Sequence, residues 1–114
     1  MEKAIQEKSF RFAVRIVNLC KYLQKEQKEF ILSKQVLRSG TCIGANVAEA
    51  QQAQSRLDFL NKLNISLKEA YETDYWLRLL HATQYLNQEE FESIITDCGE
   101  VERLLISIIK TTKE

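Results

Sequence analysis

The chain has 114 residues, 45% of them hydrophobic and 28% charged, with sixteen Lys and Arg balanced by sixteen Asp and Glu. That is one globular domain, 1–114, rather than a disordered or fibrous chain. With no Pro and only three Gly, a turn-rich β fold is disfavoured and long helices are favoured. No apolar run is long enough to span a membrane, and Met1 to Lys8 lack the apolar core and cleavage site of a signal peptide. The expected location is the cytoplasm, without a membrane partner.

Four helical segments follow in chain order. The first runs from Glu2 to Gln24. A polar break at Lys25-Glu26-Gln27-Lys28 precedes a second helix from Glu29 to Ala53. Ser55 has the character of an N-cap, with Asp58 three residues on as a capping-box partner, and opens a third helix reaching Leu86. Asn87 caps the fourth, with Glu89 and Glu90 in its first turn and Lys110 and Lys113 near its end. There Phe91, Ile94, Ile95, Cys98, Val101, Leu105 and Ile108 keep a helical apolar spacing. Long helices with short connections give an all-α, antiparallel up-down-up-down four-helix bundle.

The first helix has more apolar surface than one bundle needs. Ile5, Phe12, Ile16, Leu19 and Leu23 form one stripe; Phe10, Ala13, Val14, Val17 and Cys20 form a second, roughly 120° around the cylinder. The surplus is expected to meet other copies of the chain, the plainer alternative being that it wraps onto neighbouring helices of the same subunit. What remains polar is a strip of Lys8, Arg11, Arg15, Asn18, Tyr22 and Lys25, uninterrupted by any carboxylate of that helix, with Lys28 close by. Such a strip is either a solvated face or a surface for a phosphate backbone. The charge is also uneven along the chain. Residues 1–57 carry ten basic and five acidic side chains, and residues 58–114 carry six basic and eleven acidic. The halves could face each other, or a basic surface could meet a polyanion.

Helix two places Gly40, Gly44 and Ala48 at every fourth position on one face. Glycine costs a helix about 1 kcal/mol relative to alanine, so close packing of another helix is the expected reason. No Lys-Ser/Thr follows Gly44, so this is no phosphate loop. On the same helix Arg38 is expected to pair with Glu69 or Glu72 of helix three, with Asn46 and Glu49 completing a buried polar network that sets register.

The segment Leu37-Arg38-Ser39, then Ile43-Gly44-Ala45-Asn46-Val47-Ala48-Glu49-Ala50, resembles the signature of the bacterial four helix bundle proteins, also called 23S rRNA intervening-sequence proteins. A second block agrees: Asp58-Phe59-Leu60, Leu63, Ser66-Leu67-Lys68-Glu69-Ala70, Glu72-Thr73 and Tyr75-Trp76-Leu77. The resemblance implies an up-down bundle assembling as a homopentamer. It also implies a link to the accessory variability determinant proteins of diversity-generating retroelements, which bind nucleic acid and a reverse transcriptase. The zero net charge departs from the basic balance of those relatives.

Enzymatic readings fail on residue count. A di-iron bundle takes two Glu-x-x-His motifs, but the single His81 follows Arg78 at that spacing. An all-α metal-dependent nucleotide hydrolase is half met by Glu69-x-x-Glu72, yet helix four has no Glu-x-x-Asp. The Arg-x₄₋₆-His of all-α RNases is missed as well. His81 is read as structural, and Asp74 is expected to reach Arg78 one turn on. Cys20, Cys42 and Cys98 are odd in number and widely spaced, which fits reduced residues rather than disulfides or zinc. The expectation is a non-enzymatic oligomer without cofactor or metal. It binds RNA or DNA through Lys8, Arg11, Arg15, Tyr22, Lys25 and Lys28, or else acts as a protein–protein adaptor or scaffold.

Overall fold

A computed structural model describes residues 2–114. It contains four helices and, among the described residues, no strand: α1 (Glu2–Lys25), α2 (Leu32–Ala50), α3 (Arg56–Ala82) and α4 (Gln88–Lys113). Each packs on its neighbour in the chain, α1 closes against α4, and the diagonal pairs stay apart. The result is an up-down-up-down bundle of 44 × 21 × 19 Å.

The core follows the apolar periodicity. Ile5, Phe12, Ile16 and Leu23 of α1 meet Val36, Ile43 and Val47 of α2, Leu63, Ala70 and Leu77 of α3, and Cys98, Val101 and Leu105 of α4. The glycines of α2 let α1 approach closely. A Cβ on Gly40 would sit 2.8 Å from Ile16 side-chain carbons, and one on Gly44 would sit 3.3 Å from the Ser9 carbonyl oxygen. Ala48, expected in the same contact, is exposed instead. The α2–α3 seam is lined with small hydroxyl residues: buried Ser66 Oγ donates to the Ile43 carbonyl at 2.8 Å, and the Thr73 and Ser39 hydroxyls lie 2.9 Å apart. Satisfied this way, buried polar groups cost little and fix the register of the two helices.

Three boundaries differ from expectation, each for a local reason. Residues 29–31 are not helical, because Lys28 takes a left-handed backbone (φ 55°) that stops α1 and redirects the chain. Helix α2 ends at Ala50 rather than Ala53, where Gln51, Gln52 and Ala53 tighten into three-residue hydrogen-bond steps. Helix α3 ends at Ala82 rather than Leu86 because Gln84 is left-handed (φ 72°). Its N–H bonds the His81 carbonyl while that of Tyr85 reaches Leu80, a Schellman closure built on a residue other than glycine. The expected start signals hold. Ser55 accepts from the Asp58 N–H, although the Asp58 carboxylate takes the Gln54 N–H rather than that of Ser55. Asn87 and Glu90 form a complete capping box.

Candidate nucleic-acid interface

The cationic strip of α1 is divided by its neighbour. In the lower half α4 supplies carboxylates that the sequence of α1 alone does not reveal. Lys8 Nζ donates to Glu100 Oε2 at 2.6 Å, and Arg15 donates to Asp97 Oδ2 at 2.6 Å and to the Ser93 carbonyl and hydroxyl at 3.2 and 3.0 Å. Arg11 points outward and, among the described residues, its one ion pair is with Glu7 of its own helix, at 3.5 Å. The strip is therefore not one continuous row of available cations, because Lys8 and Arg15 clasp α1 to α4.

Beyond Arg15 the situation reverses. Lys25 and Lys28, expected in the interface, are exposed, and so are Lys21 and Lys34, which the strip did not include. Among the described residues no ion pair reaches any of these four. They surround the α1–α2 corner, where Tyr22 is partly exposed and its hydroxyl accepts from Gln27 Nε2 at 2.8 Å. A signal for Lys21 and Lys34 was present in the sequence. Both lie within two turns of the polar break, but Lys21 sits off the strip and Lys34 belongs to the next helix.

The corner is held rigidly by Glu29. Its buried carboxylate accepts the N–H groups of Ile31, Leu32 and Ser33 at 3.2, 3.0 and 2.7 Å, capping α2 from outside the helix. Burial alone would raise its pKa, but the hydrogen bonds from Leu32, Ser33 and Ile31 and from the Ser33 hydroxyl together bring it below the ordinary carboxylate value. The Ser33 hydroxyl donates back to the Glu29 carbonyl at 2.9 Å, and the Cys20 thiol donates to the Ser33 carbonyl at 3.2 Å. Burial also pushes the Cys20 thiol up to about 11, so it stays protonated.

The polar network between α2 and α3 is present but smaller and wetter than expected. Arg38 donates to Glu69 at 3.1 Å and to Glu72, whose carboxylate also accepts from Trp76 Nε1 at 3.0 Å. The Arg38 side chain is half exposed, so the network edges the core rather than lying in it. Asn46 turns back to the Cys42 carbonyl of its own helix at 2.8 Å, and Glu49 pairs with Lys62 at 3.0 Å. Neither reaches Arg38, because helix periodicity places residues on a face but not at matching heights across it. Desolvation, with Glu69 alongside, raises the Cys42 thiol.

One cluster was not anticipated. Ligand-type atoms of Asp74, Cys98 and Glu102 lie within 4.8 Å of one another between α3 and α4, where Cys98 Sγ is 3.5 Å from Glu102 Oε2 and Arg78 donates to Asp74 at 2.5 Å. Burial, then the hydrogen bond and charge of Asp74, push the Glu102 carboxyl up to about 7, and burial pushes the Cys98 thiol well above its usual range. His81 stacks on Phe91 with ring centroids 4.2 Å apart.

Exposed apolar side chains group on α1 and on α3. On α1, Phe10 is 69% and Val14 47% exposed beside a groove of about 590 Å³ whose floor includes Ala13, Gly44, Ala45 and Ala48. On α3, Leu57, Ile65, Tyr71 and Tyr75 are exposed. No helix among the described residues is long and apolar enough to cross a membrane.

The family model of the 23S rRNA-intervening sequence protein matches residues 1–107. Among solved structures, the chain is similar to a protein of unknown function from the S23 ribosomal protein family of Bacteroides thetaiotaomicron VPI-5482. The two are 63% identical over 96% of this chain and 97% of that one, with a TM-score of 0.95. No curated protein gives a significant match.

Proposed function

We propose, for a chain that belongs to the 23S rRNA-intervening sequence protein family, a non-enzymatic role as a self-associating bundle that binds RNA or DNA at its α1–α2 corner. The observation that carries the binding is the group of four exposed lysines there, Lys21, Lys25, Lys28 and Lys34, none of them ion-paired among the described residues although the chain is neutral overall. Arg11 extends the surface downward. Lysines contact phosphates and read few base edges, so binding is largely independent of sequence.

Self-association is supported by the uncovered face of α1. Phe10 and Val14 stand beside a small-residue groove that a second copy of the chain fills with its exposed α3 side chains. Two different surfaces pairing in this way build a ring when the rotation between copies closes, and the family resemblance points to closure at five subunits. A ring repeats the corner and raises affinity through multivalency rather than new contacts.

The test has two arms. Light scattering at micromolar concentration is expected to give a mass several times the 13.3 kDa subunit, and a lone subunit would reject the assembly. Titration with short RNA is expected to show binding that weakens steeply with salt, and no binding at low salt would reject the function. The exposed Tyr71 and Tyr75 of α3 favour a second reading, an adaptor for another protein such as a reverse transcriptase. A pull-down that recovers one protein after nuclease treatment supports it.

A further inference from the structure

Two features of the α1–α2 corner are not explained by charge. Phe30 is 51% and Ile31 76% exposed, immediately before α2. They are not loosely held. Glu29, between Lys28 and Phe30, is anchored through its N–H to the Leu23 carbonyl at 2.9 Å and through its carboxylate to the first turn of α2. The Gln24 side chain adds a bond to the Ser33 hydroxyl at 3.2 Å. With the backbone pinned on both sides, the Phe30 ring is presented outward, and Tyr22 stands at the end of α1 in the same corner. Around these rings lie Lys21 and Lys25, one helical turn or about 6 Å of rise apart, with Lys28 and Lys34 flanking the loop.

We infer that this corner is a stacking site for single-stranded nucleic acid, with an unpaired base on the Phe30 ring and the adjoining phosphates on Lys25, Lys28 and Lys34. The inference rests on the proposed nucleic-acid function and narrows its ligand from any polyanion to an unpaired strand. An exposed aromatic ring on a held backbone amid unpaired lysines is the pairing of features that single strands need, since each base offers a π-face and each nucleotide a charge. In a duplex those faces are already stacked on one another, so Phe30 would gain nothing from it. The held backbone favours stacking too, because the loop loses little freedom when a base lands on the ring. An anionic membrane fits less well. The same end of the bundle carries exposed Glu26 in the α1–α2 loop and exposed Glu89 and Glu90 at the start of α4; a flat bilayer would meet all three together, whereas a narrow strand on the α1–α2 corner meets Glu26 alone among them.

The experiment is fluorescence anisotropy at low salt with a labelled 12-nucleotide oligouridine, the matching oligothymidine and a 12-base-pair RNA duplex, using the full chain and Phe30→Ala. Both single strands are expected to bind more tightly than the duplex, and comparison of the two strands separates RNA from DNA as the preferred source. Phe30→Ala is expected to weaken single-strand binding by about five-fold or more and leave duplex binding unchanged, while Phe30→Trp restores it. An unchanged melting temperature shows that the exposed site is not needed for folding. If strands and duplex bind alike and Phe30→Ala has no effect, the stacking site is overturned while the nucleic-acid function stands. If no nucleic acid binds, both fall. Phe30-dependent binding to phosphatidylserine vesicles, without effect on the oligonucleotides, would overturn the inference in favour of a membrane contact.

Discussion

Lys8 and Arg15 in the lower half of α1, and Lys21 and Lys25 in its upper part, are the same kinds of residue on the same helix, yet the fold treats them in opposite ways. Below, α1 lies against Asp97 and Glu100 of α4, and each cation acquires a carboxylate at 2.6 Å. Above, α4 offers Ser93 and then its own first turn, where Glu90 folds back into the capping box. The lysines at the corner are left without partners. A cationic row on one helix is therefore a statement about position, and its availability depends on the register of the helix beside it. Here the fold ties Lys8 and Arg15 of the row to α4 and leaves Lys25 exposed without an ion pair among the described residues.

The largest expected effect comes from removing the available half. Replacing Lys21, Lys25, Lys28 and Lys34 together by Glu is expected to abolish RNA binding, measured by anisotropy, with little change in melting temperature. In the unmutated chain, four phosphate contacts on a single strand give a log–log salt slope near −2.8, so raising salt from 50 to 200 mM should lower affinity about fifty-fold. The seating of α1, which both halves depend on, is tested next. Gly40→Ala pushes a Cβ into Ile16 at 2.8 Å, and overpacking of this kind costs about 1–3 kcal/mol in urea denaturation. Gly99→Ala provides the contrast. Its Cβ meets only the flexible end of Arg103, 3.2 Å away, so the gain in helix propensity of up to about 1 kcal/mol should prevail.

Glu29 sharpens the comparison from the side of the corner. Glu29→Gln is expected to cost about 1–2 kcal/mol, because one amide oxygen replaces two charged ones accepting three N–H groups. The folded chain holds this carboxylate below its ordinary pKa, so its stabilisation is present above the unfolded value and is lost as pH falls through the folded one. Glu102 acts in the opposite sense. Its pKa rises from 4.5 to about 7 on folding, so the folded state binds the proton more tightly and stability declines as pH rises across that window. Melting curves should therefore show the acid loss softened in Glu29→Gln and the decline between pH 4.5 and 7 flattened in Glu102→Gln.

Much of this was legible in the chain. Apolar spacing gave four helices, Asn87 with Glu90 gave the start of α4, and Gly40 and Gly44 announced a close helix approach. The pairing of Arg38 with Glu69 and Glu72 followed from shared faces. What could not be read were relations between helices and departures from residue preference. Periodicity assigns Lys8 and Arg15 to a face of α1 but is silent on the height at which Asp97 and Glu100 arrive, and the cluster of Asp74, Cys98 and Glu102 is hidden for the same reason. The start of α2 and the end of α3 escaped because Lys28 and Gln84 take left-handed conformations that usually call for Gly or Asn. Glu29 reads as a first-turn helical residue, and only its backbone position reveals it as a cap.

The division of the cations is tested most directly by two double charge reversals measured side by side for affinity to one short single-stranded RNA. Lys8→Glu with Arg15→Glu is expected to keep near-normal affinity while losing about 1 kcal/mol of stability or somewhat more, as exposed ion pairs turn repulsive. Lys25→Glu with Lys28→Glu is expected to keep stability and lose most of the binding. The reverse pattern, with binding lost at Lys8 and Arg15 and retained at Lys25 and Lys28, would contradict the account.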